Sequence, residues 1–322
     1  MGESTTAAPT RTKGSGTGAA AIRGRKRYSV LTGVDKWQLI VMVGVPVALD
    51  LILIWAPTVA SIFISFTDWD GFGAIAAQNF VGLRNYQLLF TQYLFFWPAV
   101  WHNLIWLAFF GLIATPLGMF LAVLLDREIR GTRVYQSIFF MPVVLSFAII
   151  GFIWQLIYSP TEGLINNLFE NPAHGAVTDW LGNPSLNLWA ILVAVGWRHA
   201  GYIMILYLAG LKAMDPSLRE AAAIDGAGEW HTFRTVIFPS PRPINIVIVV
   251  VTVIEALRAF DIVYIINKGR NGLELLSVLV TNNIIGEASR IGYGSAIAVI
   301  LIVISIIPIV IFVWNSFSER EA

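Results

Sequence analysis

The sequence predicts an all-α integral membrane protein with six transmembrane helices, and three observations carry that prediction. Of the 322 residues, 57% are hydrophobic and 13% charged, where an ordinary soluble domain carries about 25% charged residues. The mean hydropathy of +0.71 leaves too few polar residues to cover the roughly two soluble domains that a chain of this length would form. Six apolar runs reach the length of about 20 residues that a helix needs to cross a ~30 Å hydrocarbon core. A transmembrane barrel would show alternating segments of about ten residues, whereas Ala296 to Val313 is almost unbroken in apolar character.

Taken in order, the predicted helices cover about residues 39–66, 100–125, 136–158, 186–211, 244–266 and 293–314. Residues 1–28, rich in Thr, Gly, Ala and Arg, lack the bulky apolar content that folding requires and predict a flexible basic arm, leaving 29–322 as the transmembrane domain. The apolar run after the arm exceeds a signal-peptide core and reads as an uncleaved first helix. Lys and Arg stay preferentially on the cytoplasmic side. Fifteen of the 21 lie in the arm, the second-to-third and fourth-to-fifth loops and the tail, against four in the alternate loops. Both termini are therefore expected to be cytoplasmic in a multi-pass protein of the cell membrane.

The loop 212–243 is the longest expected cytoplasmic connection, and loops longer than a hairpin needs are often functional. Asp215 and Pro216 give helix-start signals, and Ser217 to Ile224 carries Leu218, Arg219, Glu220 and three alanines of high helix propensity. Gly226 and Gly228 break that helix. A second short helix from about Glu229 to Ile237 places Trp230 and Phe233 on one face, until Pro239 and Pro241 end it. From propensity alone the hairpin is either a docking peg for a partner or an amphipathic segment on the lipid surface.

Glu220-Ala221-Ala222, Gly226 and Val236-Ile237-Phe238-Pro239 resemble the EAA loop of ABC importer permeases. Phe66-Thr67-Asp68-Trp69, then Phe80 to Tyr86, Phe140-Met141-Pro142 and Phe260 to Tyr264 extend the resemblance to the carbohydrate-import subfamily, and to the first permease of a heterodimeric pair in particular. Where many relatives carry a Gly-Gly-Pro turn after the fifth helix, this chain reads Lys268-Gly269-Arg270-Asn271-Gly272. The resemblance implies a type I importer fold in which Glu220, Ala221, Ala222, Asp225, Gly226 and Pro239 couple the permease to its ATPase. It also implies a second permease subunit, two ATPase subunits that hold ATP and Mg, an extracytoplasmic solute-binding protein and a carbohydrate substrate, with no nucleic acid.

No chemistry is expected of the chain itself. A phosphate-cradling loop needs a Gly-Lys pair, and none exists; the four His are scattered and Cys is absent, so neither a zinc site nor a thiol nucleophile is supported. Ionisable groups in a spanning helix usually face a cavity or another helix. Glu255, Arg258 and Asp261, spaced by three, fall within about 120° of one face of a continuous helix, where Arg258 can pair with either acid. They read either as a polar lining for sugar hydroxyls or as an ion-pair cluster that fixes helix register. Trp197 and Tyr202 are candidates to stack on a sugar ring, with core packing as the alternative. Asp50 and Asn103 read as structural polar groups. A proton-coupled transporter built on the Glu255 cluster and a passive membrane scaffold are the rival functions; neither accounts for the loop pattern.

Overall fold

A computed structural model describes residues 32–127, 130–169, 177–286 and 289–318, so the predicted arm 1–28 lies outside the described residues. The helices are α1 (Gly33–Asp50), α2 (Ala56–Ile64), α3 (Arg84–Thr91), α4 (Phe96–Phe109), α5 (Thr115–Asp126), α6 (Thr132–Val144), α7 (Phe147–Ile157), α8 (Leu164–Phe169), α9 (Asn187–Lys212), α10 (Ser217–Ile224), α11 (Glu229–Thr232), α12 (Arg242–Leu257), α13 (Asp261–Asn267), α14 (Leu276–Ile284) and α15 (Ile291–Ser318). The only β pairing among the described residues is one bridge between Thr67 and Phe80. Two compact units divide the chain after Trp55. In the first, α1 starts from a capping box in which Thr32 Oγ1 and the Asp35 carboxylate each accept the other's backbone N–H; α1 buries no residue. The second unit, from Ala56 onward, holds the buried core.

Proline lacks an N–H, and its ring collides with the carbonyl four residues earlier. Two prolines sit just beyond π-helical turns, Pro57 after Leu51–Trp55 and Pro116 after Phe110–Ala114; the wider turn absorbs the missing bond. Both helices thus run on past their prolines.

Among the described residues, four helices are long and apolar enough to cross a membrane: Gly33–Ile64, Phe96–Asp126, Asn187–Lys212 and Ile291–Val310. Two expected spans are not continuous. The third is bent by 103° between α6 and α7, because Leu145 is extended and Ser146 caps a new helix by accepting the Ile149 N–H. The fifth is divided into α12 and α13 at Arg258–Phe260. At 16 residues α12 is about 24 Å long, short of the hydrocarbon thickness.

Lipid is as apolar as Leu, so helix association in a membrane rests on close packing and hydrogen bonds rather than on the hydrophobic effect. The centre of the second unit follows that rule. Helix α9 is buried along most of its length, including Ile191, Leu192, Ile203, Met204 and Tyr207, and packs on α5, α6 and α12. Gly118 of α5 makes the approach possible: a Cβ there would lie 2.5 Å from the Ala200 carbonyl oxygen.

Candidate coupling surface and intramembrane polar site

The 212–243 loop forms a helix, a turn and a helix. Asp215 Oδ1 accepts the Ser217 N–H at 2.9 Å, satisfying one of the orphan amides of the first turn of α10 and holding its carboxyl below the ordinary value of 3.8. At the other end Gly226 adopts φ +72° with open space around its Cα, so the glycine is required by backbone conformation and not by crowding. Helix α11 then runs into a π-helical turn, Phe233–Ile237, where Trp230 stacks on Phe233 with centroids 5.6 Å apart.

Of the sequence candidates here, Glu220, Ala221, Asp225 and Gly226 are exposed, Pro239 is half-buried and Ala222 is buried. Ile224 and Trp230, at 85% and 74% exposure, complete an outer surface that mixes acid, alanine and large apolar groups. Arg219 lies three residues before Ala222, on the same helical face.

That inner face meets an ionic site absent from the sequence expectations. Asp126, the last residue of α5, is buried with its side chain 5% exposed. Arg219 Nη2 stands 2.5 Å from its Oδ2, and Lys212 Nζ, at the end of α9, 3.3 Å from its Oδ1. The next residue, Arg127, pairs with Glu229 at 3.0 Å, but both side chains are more than half exposed. Charged residues this far apart in sequence leave no periodic signal; three basic or acidic residues at three helix ends were the only hint.

The second site lies within the bundle. Trp106, Phe110, Phe147, Arg198, Glu255, Arg258 and Asp261 border a cavity of about 30 Å³, enough for a water molecule but not for a sugar ring. Glu255, Arg258 and Asp261 therefore share one cavity, but not as one helix face with a central ion pair. The helix ends between them, and Glu255 pairs with Arg198 at 3.8 Å; among the described residues Arg258 forms an ion pair with neither acid. The physical reason is local. Asp261 occupies the first turn of α13, where a carboxylate is favoured by the helix dipole, so the charges mark a helix start. The Arg198 guanidinium also lies 4.3 Å over the Phe147 ring, while its Nε has no hydrogen-bond partner.

Trp197 and Tyr202 are outside this cavity: Trp197 meets Trp154 edge-on at 6.0 Å, and Tyr202 packs beside the core around Ile203, Met204 and Tyr207. His199, which also lines the cavity, shares a buried hydrogen-bond cluster with Thr115 and Thr252, at 3.1 and 3.4 Å from Nε2. It ties α9 to α5 and α12, and Phe110 stacks on the imidazole at 4.2 Å. Asn103 Oδ1 accepts the Leu276 N–H at 3.0 Å, and Asp50 accepts from Trp55 Nε1 at 3.1 Å.

Several long apolar helices around buried polar groups, with an exposed helical hairpin, define a multi-pass membrane protein. Residues 114–320 match the family model described as the binding-protein-dependent transport system inner membrane component, and the chain belongs to that family. It is 32% identical to the xylose/arabinose import permease of Haloferax volcanii, over 82% of this chain and 83% of that one. It is 30% identical to the diacetylchitobiose uptake permease of Streptomyces coelicolor, over 89% and 84%. A bacterial ABC transporter that imports the polysaccharide alginate shares the fold, with a TM-score of 0.75 at 20% identity over 88% of this chain and 96% of its own. The chain is thus a membrane-spanning permease component of an ABC importer, and not an enzyme; hydrolysis of ATP in such systems resides on a separate subunit.

Proposed function

We propose that this chain is one of two permease subunits of an ATP-driven carbohydrate importer, and that the outer surface of α10, the Gly226 turn and α11 docks on an ATPase subunit. The observation that supports the docking role is the division of α10 into two faces. Arg219 and Ala222 turn inward, while Glu220, Ala221, Ile224 and Asp225 stand exposed. The arginine-rich arm and the 212–243 loop then lie on the cytoplasmic side, with both termini, and a solute-binding protein delivers substrate from the other side.

The carbohydrate assignment rests on relatives whose names specify xylose and arabinose, starch degradation products and diacetylchitobiose. In this reading Glu255, Arg258 and Asp261 line the translocation path, where charged groups hydrogen-bond sugar hydroxyls strongly. The 30 Å³ cavity is then a closed point of a path that opens when the ATPases change state, as alternating access demands. Trp197 and Tyr202 enter the path only if that opening moves them off their present neighbours.

The experiment is affinity purification of the chain carrying Glu220→Lys with Gly226→Ala, beside the parent, in a mild detergent. The parent is expected to bring down a second permease and a Walker-motif ATPase, and the double variant to lose the ATPase while keeping the second permease. Retention of the ATPase and of ATP-dependent uptake by the variant refutes the docking surface.

A further inference from the structure

We propose that Asp126 is the positioning residue of the coupling helix: one buried carboxylate joins α10 to the membrane-embedded pair α5 and α9, so that a push on α10 moves the bundle. The proposal rests on the importer reading above.

Three elements meet at this side chain. One Asp126 oxygen takes Arg219 from α10 at 2.5 Å, and the other takes Lys212 from the C-terminus of α9 at 3.3 Å. The location is unfavourable for a carboxylate in two respects. It is the last residue of α5, beside the negative end of the helix dipole, and its side chain is only 5% exposed, which costs solvation unless paired. Two cations, one per oxygen, offset both. Helices α5 and α9 are in turn the most extensively packed pair in the bundle, so whatever holds Asp126 is held to the core.

The adjacent residue supplies an internal comparison. Residues 126 and 127 hold the hairpin on opposite sides of the Gly226 turn, the first through α10 and the second through Glu229 at the start of α11. Only the first of these contacts is shielded from water, and an exposed ion pair is too weakly bound to transmit a force. Arg219 immediately precedes Glu220, so the inner end of the clamp and the outer docking face are neighbouring positions of one short helix. A load applied to Glu220 has one residue of helix to cross before it reaches the Arg219–Asp126 pair.

The chain contains no Cys, so spin labels can be placed at will. Labels at Val193→Cys on α9 and Ser217→Cys on α10, both exposed positions, are separated by about 30 Å or more along the axis of α9, within reach of pulsed dipolar spectroscopy. The probe is the purified permease and ATPase complex, nucleotide-free and after trapping with ATP and vanadate. In the parent, one narrow distance distribution is expected in both states, because α10 travels with α9. In Asp126→Asn the distribution broadens about twofold and its mean differs between the states, since a single neutral amide loses the charge-assisted bonds that hold both cations. Asp126→Glu restores the narrow distribution, which a role in folding alone does not predict.

If Asp126→Asn fails to assemble, Arg219→Gln removes the same pair from the more exposed side and reads the same distances. An Asn or Gln variant that keeps the parent's distribution in both states overturns the clamp. A parent that neither carries an ATPase nor traps vanadate overturns the importer reading instead, while its nucleotide-free distances against those of Asp126→Asn still judge the clamp.

Discussion

At the end of α5, Asp126 is almost fully buried and meets two cations at 2.5 and 3.3 Å; near the middle of α9, Arg198 is half-buried and stands 3.8 Å from a half-buried Glu255. The first carboxylate has each oxygen assigned to a separate partner. Both arginines, Arg198 and Arg219, leave Nε without a hydrogen bond, but the second site borrows the face of Phe147 for its guanidinium and keeps Arg258 and Asp261 exposed at its rim. Tight pairing of both carboxylate oxygens suits a fixed joint, because breaking it strands charge away from water. Loose pairing with spare donors suits a surface that exchanges partners, because a sugar hydroxyl or a water can replace the weak contact at small cost. The same residue types thus serve opposite ends, and burial with the pairing of both carboxylate oxygens separates them.

The largest expected effect follows from breaking the tight site. Asp126→Ala leaves Arg219 and Lys212 facing one another across an emptied position. Removing one partner of a fully buried pair costs about 3–5 kcal/mol; both cations here are a third to a half exposed, which lowers the expectation to about 2–3 kcal/mol through solvent screening. The measurement is the thermal unfolding midpoint of the purified complex. A midpoint equal to the parent's would mean that water already solvates the clamp, and the contrast between the two sites would collapse.

Much of this contrast lies outside what a sequence displays. The α10 hairpin was readable because its causes are local: an acid before a proline, an alanine run, then glycine at a turn that needs positive φ. Long apolar runs likewise pointed to the four continuous spans among the described residues, since length against membrane thickness is a one-dimensional test. What failed was the assumption that regular spacing implies a continuous helix. Glu255, Arg258 and Asp261 repeat every three residues, yet the repeat straddles a helix end, and Asp261 is better understood as a first-turn acid than as a member of a stripe. Ser146 gave the same kind of warning in the third span, a capping residue ahead of an apolar run, and was hidden inside the hydropathy. Asp126, Arg198 and the His199 cluster depend on which helices touch, information that enters only with the tertiary structure.

The intermediate effect sharpens the loose site. Glu255→Gln keeps the shape and one acceptor oxygen but removes the charge opposite Arg198. The pair is a quarter to a third exposed and 3.8 Å apart, so stability is expected to change by less than about 1 kcal/mol. Transport is expected to respond differently: losing a hydrogen bond to a charged group costs about 1.5–3 kcal/mol, which is about a tenfold to hundredfold fall in uptake if Glu255 meets the solute. Comparing the unfolding midpoint with ATP-dependent uptake in the same preparation decides between the readings the sequence left open. An unchanged midpoint with reduced uptake marks a path residue; a lowered midpoint with uptake per folded complex preserved marks a structural pair.

The smallest effect concerns a third arrangement, a carboxylate that pairs with no cation among the described residues. Asp215 is fully exposed, and its carboxyl is held below 3.8 chiefly by accepting the Ser217 N–H. Because the folded value lies below the unfolded one, the group contributes its full stabilisation above the ordinary carboxylate value and loses it only as pH falls through the lowered value. Amide exchange of residues 217–220 corrected for intrinsic rate is therefore expected to show constant protection from pH 7 down to about 4, then a decline. In Asp215→Asn the amide oxygen still accepts the Ser217 N–H, so protection persists and its decline at low pH disappears; in Asp215→Ala protection is reduced at every pH. Protection in the parent that instead fell between pH 7 and 5 would assign the start of α10 to a different titrating group. That would shift the comparison from how deeply each carboxylate is buried to which charges lie near it.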